Sequence, residues 1–401
     1  MSGTMQQRTI DLDTGLALDV VRDETRFRRL EAEWRDLERR SPGSGVFQGF
    51  RWSSGMWPHE RASGAQLRIA AVRSAGGGLV AVLPLVLERR SGLAPVRVLR
   101  FLGQPFADVQ DICIEKGADA SAVVALLGSW LGNACEDCDV VDLAELPSHS
   151  LLLGSRELLL EGFEARSVHV VPACERRLVP LPRRFDEYLE GLGRHFRKNQ
   201  RRRRRLLAER FDLCFEVEDG FADPARAIAD LMQLHQRRMR ALGQRGLFRS
   251  EARCEAFAEL FHALLVEGTL RIHRLLVDGR AVAADAVLSD GARATCYIGG
   301  MDPDPALAHF SLGTLNLLEA IRWSIETGHT ECDLARGDEP YKLEYGAEAL
   351  ESVRLLGVRG RIRGSLSLAR EFVWQRMARS TALRSAYRRA LSLAPGAGSK
   401  P

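Results

Sequence analysis

The chain has 401 residues, 45% of them hydrophobic and 27% charged, the composition of a soluble globular protein long enough for two ordinary domains. Lys plus Arg number 57 against 53 Asp plus Glu, and a formal charge of +4 neither demands nor excludes an anionic partner. The eight scattered cysteines argue against a disulfide framework, and the longest apolar runs, Leu79–Leu87 and Val123–Gly132, fall short of the roughly 18 residues a membrane span needs.

Residues 1–17 are polar and irregular and predict a loose leader without the order of a signal peptide. From Asp19 to Pro42 the chain reads as a strand and an amphipathic helix. Phe27, Leu30, Trp34 and Leu37 recur there at three- and four-residue steps on one face. A second helix follows over Val46–Trp57. The runs Gln66–Ser74, Gly77–Arg90, Val96–Gly103 and Asp108–Lys116 predict sheet strands separated by turns. A helix over Ala120–Cys135, a strand over Asp139–Leu146 and a helix over Ser150–Phe163 complete a domain set at 18–175. Cys135 and Cys138 form a C-x-x-C pair with no second pair at zinc spacing, so no metal is expected.

The second half repeats that order. One helix is predicted over Arg184–Arg210, a strand over Phe211–Glu218, and helices over Asp223–Leu242 and Arg249–Glu267. Strands over Leu270–Gly279, Arg280–Asp290 and Arg293–Asp302 precede a helix over Ser311–Gly328 and a strand over Thr330–Gly337. Ser352–Gly360 is expected to be the last strand of this second domain, set at 176–360. The shared order predicts an internal duplication of α+β units, each a mixed, largely antiparallel sheet flanked by helices. Residues 361–401 read as a basic helical tail.

Five stretches of the second half carry a likeness: His195–Glu209, Leu234–Phe248, Leu270–Asp304, His309–Ile321 and Glu331–Ala347. Together they resemble the acetyltransferase-like domain of the CelD (cellulose and exopolysaccharide biosynthesis) group of the GNAT superfamily, itself related to the FemAB aminoacyl transferases. The first half looks like the companion domain of that family, with Trp34, Leu37, Val46–Trp52 and Ala81–Leu87 in the expected order. The resemblance implies two tandem GNAT-like domains and transfer of an acyl group from acyl-CoA, acetyl-CoA foremost. The acceptor would be an amine or hydroxyl of a sugar or lipid-linked sugar in envelope or exopolysaccharide assembly. Two alternatives stay open: a non-catalytic regulator binding nucleotide or nucleic acid through an arginine helix, and a FemAB-like transferase drawing on aminoacyl-tRNA. The protein is expected in the cytoplasm, with contact to an anionic membrane face or the polysaccharide machinery left open. Nucleic acid is the less favoured partner, and nothing fixes the oligomeric state.

Acyl transfer needs a base at the acceptor, donors for a developing oxyanion and a proton for the leaving thiolate. At the end of one predicted strand, Asp333 is a candidate base, Tyr341 a proton donor, and Arg336, Asp338 and Lys342 substrate contacts; a plain ion-paired loop is the competing reading. Ser311, Leu312, Gly313 and Thr314 open a helix, where free N–H groups and the dipole favour a pyrophosphate. GNAT enzymes carry an Arg/Gln-x-x-Gly-x-Gly/Ala loop there, and this chain departs from it. Arg197 and Arg201, on a helix dense in charge from Arg194 to Arg205, suit an acceptor phosphate or a merely solvated face. His235 is a second candidate base, with Arg238 one turn on as a substrate contact; a satisfied core-edge histidine is the alternative. Asp285 interrupts an apolar strand, which is costly unless the carboxylate is paired or used, and Tyr297 on the adjacent strand would face the same cleft.

Overall fold

The computed structural model describes residues 8–10, 14–41, 43–90, 95–104, 106–134, 138–154, 168–220 and 222–358. The predicted tail and most of the predicted helix after Ser150 lie outside them. Two sheets organise the chain. The first unit comprises β1 (Arg8–Ile10), β2 (Ala17–Val21), α1 (Glu24–Arg29), α2 (Glu31–Arg39), α3 (Phe50–Ala62) and the meander β3 (Gln66–Arg73), β4 (Leu79–Arg90), β5 (Val96–Phe101). A short β6 (Cys113–Ile114), α4 (Ala120–Ser129), β7 (Val140–Pro147), α5 (Leu151–Gly154) and β8 (Val168–Pro172) follow.

The second unit runs β9 (Arg176–Pro180), α6 (Phe185–Gly191), α7 (Arg194–Ala208), β10 (Leu213–Glu218), α8 (Pro224–Ala241) and α9 (Glu251–Val266). The meander β11 (Leu270–Val277), β12 (Arg280–Ser289), β13 (Arg293–Met301), then α10 (Leu312–Glu326), β14 (Glu331–Arg336) and β15 (Glu348–Leu350), complete it. The single helix expected over Arg184–Arg210 is two, because the chain turns extended at Leu192 and Gly193.

The strand orders are superposable. One sheet reads β2-β3-β4-β5-β7 and the other β10-β11-β12-β13-β14. In each, only the last pair is parallel, over three residue pairs, Val98–Arg100 with Val140–Asp142 and Arg293–Thr295 with Glu331–Asp333. The fold is thus two tandem GNAT-like units of mixed α and β structure.

The final strand departs from expectation. β16 (Ser352–Val358) pairs with β7 and β8 in the first sheet, not the second. The corresponding place in the second sheet, beside β14, is filled by β9, which the sequence reading passed over. The first sheet is therefore completed by a strand from the far end of the second unit's run of chain, and the second sheet by the strand that opens that run. A shared apolar cluster binds the units further: Phe27, Trp34, Phe50 and Trp52 meet Leu231, Phe257, Leu260 and Phe261, as α3 packs on α9. Burying side chains of this size is worth about 1.5–3 kcal/mol each.

Candidate active site

Past Thr295, β13 loses its parallel partner and runs on to Met301 while β14 bends away. Into the opening come the start of α10, the 3-10 turn Pro340–Tyr345 and one side chain of α8. They enclose a cavity of about 310 Å³ lined by Arg238, Asp285, Ser311, Thr314, Tyr341 and Tyr345 among others. Two glycines make the packing possible. A Cβ on Gly299 would collide with the Asp285 carboxylate directly across the ladder, and one on Gly300 with the backbone of α8 at Leu234 and His235.

Asp285 faces this cavity. Asn316 on α10 donates from Nδ2 to its Oδ2 at 2.7 Å and to the carbonyl of His273 at 3.1 Å, fixing the carboxylate's orientation. Burial raises the Asp285 pKa to about 6 from 3.8, against the opposing pulls of the Asn316 hydrogen bond and the Arg238 charge. A carboxylate so poised is ionised at neutral pH yet basic enough to take a proton. Arg238 has no ion-pair partner among the described residues, and its Nε is buried without a hydrogen bond. By contrast Asp302, also on the wall, is neutralised by Arg237 at 2.9 Å and Arg280 at 3.0 Å.

The helix start is open. Ser311 takes the left-handed conformation (φ 55°), which leaves its side chain unable to cap, and no side-chain hydrogen bond is made there. The backbone N–H groups of Thr314 and Leu315 return to the Ser311 carbonyl, while those of Leu312 and Gly313 find no acceptor among the described residues. Such orphan donors and the dipole behind them favour an anion. Tyr345, 1% exposed, aims a phenol at the same space, beside the Thr314 hydroxyl but without completing a hydrogen bond. Burial raises the Tyr341 hydroxyl to about 12, with Glu339 adding to the rise.

The structure gathers Asp285, Tyr341, Arg238 and the Ser311, Leu312, Gly313, Thr314 turn into one place. The other candidates lie elsewhere, each for a physical reason. Asp333 is fully buried, ion-paired to Arg176 of β9 at 2.9 Å rather than to Arg336 of its own loop, and accepts the Ala335 N–H at 2.9 Å, which leaves it no free oxygen for a substrate. His235 has both ring nitrogens engaged, Nδ1 with the Gly299 carbonyl at 3.1 Å and Nε2 with the Leu247 N–H at 3.3 Å. Burial lowers its pKa, and it serves as a brace between α8, β13 and the following loop. Tyr297 donates to the Phe106 carbonyl at 2.7 Å across the two units. Arg336 likewise crosses, to Asp108 and, at 3.5 Å, to Glu145. Lys342 is 3% exposed and clamps the carbonyls of Ala335, Arg336 and Gly337. Asp338 is exposed on the loop. Arg197 and Arg201 line a separate groove on α7.

Asn316, Tyr345 and the Gly299–Gly300 pair were missed. A lone amide on the apolar face of a helix and two consecutive glycines inside a strand were the available signals.

With this geometry in view, the comparisons define a class. Residues 194–343 match the profile of the acetyltransferase (GNAT) domain, and the chain is an acyltransferase by that domain. Among solved structures it is similar to FemX, with a TM-score of 0.58 at 12% identity over 82% of this chain and 96% of that one. It is also similar to the C-terminal domain of a protein assigned as a lysylphosphatidylglycerol synthetase from Agrobacterium fabrum (TM-score 0.51, 12% identity, 86% of this chain and 97% of that one). At such identities the likeness is one of fold. No curated protein matches the chain. Among the described residues no helix is long and apolar enough to cross a membrane.

Proposed function

We propose that the protein transfers an acyl group, acetyl foremost, from acyl-CoA to an amine or hydroxyl of a sugar or lipid-linked sugar, in the second unit's cavity. One observation carries this reading: an oriented carboxylate with a pKa near 6 shares a cavity with an uncapped helix start and an unpaired arginine. Unsatisfied donors at Leu312, Gly313 and Tyr345 suit a donor that brings anionic phosphates. When bound, acyl-CoA supplies an activated thioester.

The chain's own residues do the rest. Asp285 accepts the proton that the attacking nitrogen or oxygen sheds. Tyr341 offers its hydroxyl proton to the departing sulfur, and Arg238 holds an anionic group of the acceptor within reach of Asp285. Asn316 is a positioning residue that keeps the carboxylate aimed across Gly299.

The test is thiol release from acetyl-CoA and longer acyl-CoAs, offered with amino sugars, nucleotide sugars and lipid-linked sugars. Acceptor-dependent release that vanishes in Asp285→Asn supports the reading. Release from no acyl-CoA, together with transfer from aminoacyl-tRNA, would replace the donor; binding of nucleotides without any turnover would replace the enzyme by a regulator.

A further inference from the structure

A second concavity lies on another face of α10. It is an apolar slot of about 160 Å³ between α6, α7, β10 and α10, walled by Phe185, Leu189, Phe196, Phe215, Leu315 and Leu318. Its rim is cationic. Arg204 lies over the Phe215 ring at 4.9 Å and Arg322 over the Phe185 ring at 4.4 Å. Both of these arginines are already neutralised by Glu319, at 2.5 Å and 3.3 Å. Arg197 and Arg201, which also border the slot, have no carboxylate partner among the described residues. Inside it, Arg197 Nε and Gln200 Oε1 are buried without hydrogen bonds, and Gln200 is only 6% exposed.

Arg197 and Arg201 connect the slot to a groove whose walls are wholly basic: Arg194, Arg197, Lys198, Arg201, Arg202 and Arg205. These positions recur at three- and four-residue steps, so all six cations project from one stripe of α7. Among the described residues only Arg205 meets an acid there, Glu209 at 3.4 Å. Like charges at such spacing repel and weaken a helix. An isolated stripe of this kind is therefore a liability that a bound polyanionic surface would relieve. Among the described residues the groove's walls hold no aromatic ring on which a base could stack, which disfavours single-stranded nucleic acid.

The geometry points to a docking site for anionic phospholipid at a bilayer surface, with phosphates along the α7 stripe and part of one acyl chain in the slot beneath. Arg197 Nε donates to an ester or phosphate oxygen at the junction, and Gln200 Oε1 accepts from a headgroup hydroxyl. This site is separate from the catalytic cavity and does not depend on the donor or acceptor assigned there. It would hold the enzyme against a membrane face without any spanning segment.

Co-sedimentation of the full chain with vesicles tests the site. Vesicles of phosphatidylcholine mixed with phosphatidylglycerol should retain the protein at least about tenfold better than phosphatidylcholine alone, and less well as salt rises. Arg201→Glu with Arg202→Glu, both at exposed positions, should abolish the difference. Phe185→Ser should weaken retention while leaving its salt dependence intact, which marks the slot's share. Equal retention on both vesicles, or anionic binding untouched by the paired charge reversal, would overturn the site. So would release of the protein by millimolar glycerol phosphate, which would make it a site for a small phosphate, or tighter retention on a short RNA than on the vesicles.

Discussion

The two units share a sheet order, yet among the described residues they treat the place where their parallel strands part differently: the second unit opens a cavity there. In the first unit the gap between β5 and β7 is stitched shut: Gln104 accepts the Ala144 N–H at 3.2 Å, and Gln110 donates to the Leu102 carbonyl at 3.3 Å while its own N–H meets the Glu145 carbonyl. Arg336 then enters from the second unit to pair with Asp108 and Glu145. The helix that follows the meander differs too. Asp119 caps α4 by accepting the Ala122 N–H at 3.0 Å, putting a carboxylate where α10 offers free donors. What both units retain is a buried ion pair at the last parallel residue, Asp142 with Arg354 and Asp333 with Arg176. Conserved architecture and reactive geometry are thus separable. The shared aspartate belongs to the framework, and the chemistry proposed above falls to Asp285, across the sheet.

The sharpest way to break this contrast is Asp285→Asn. It should lower kcat by about a hundred- to ten-thousandfold. Wild-type kcat/KM should rise as pH passes about 6, where the carboxyl ionises, and the variant should lose that limb. The same substitution should stabilise the fold. Because the folded pKa lies above the ordinary 3.8, the neutral form is favoured on folding and the stability it lends fades as pH rises through about 6. The variant should therefore melt higher than wild type at neutral pH, with the gain gone in acid.

Next in size is the contact that closes the first unit. Arg336→Met leaves Asp108 and Glu145, both already raised by burial, without their cation, at a cost of about 3–5 kcal/mol. Removing the cation raises both carboxyls further, so the loss should be small in acid and grow as pH climbs through their folded values. Thermal melts across that range read it directly. Smaller effects follow from exchanging the two helix starts. Ser311→Asp, which brings a carboxylate to α10, should raise the KM for acyl-CoA about tenfold with little change in kcat. Asp119→Ala should cost about 1 kcal/mol of stability and leave KM unmoved.

Much of this organisation was legible in the sequence because it is local. The strands of the meanders, the helix opening at Ser311 and the charged Asp285 in an apolar strand are each visible in a short stretch of neighbouring residues. The misassignments concern partners far away in the chain. Asp333 looked reactive because Arg176, which neutralises it, lies 157 residues earlier. His235 stayed open as a base beside its reading as a satisfied core-edge histidine because its partner is a carbonyl on β13, 64 residues on. The residues of β9 make a strand only because the edge of β14 awaits them, and no periodicity in five residues announces that.

The crossing of β16 into the first sheet also sets a timetable. The amino-terminal sheet cannot seat the strand between β7 and β8 until the ribosome has passed Val358 and released it, whereas its neighbour has every strand once Leu350 emerges. Nascent chains ordinarily mature from the front. Here the sheet that carries the candidate site has all its strands first, and the other is completed last.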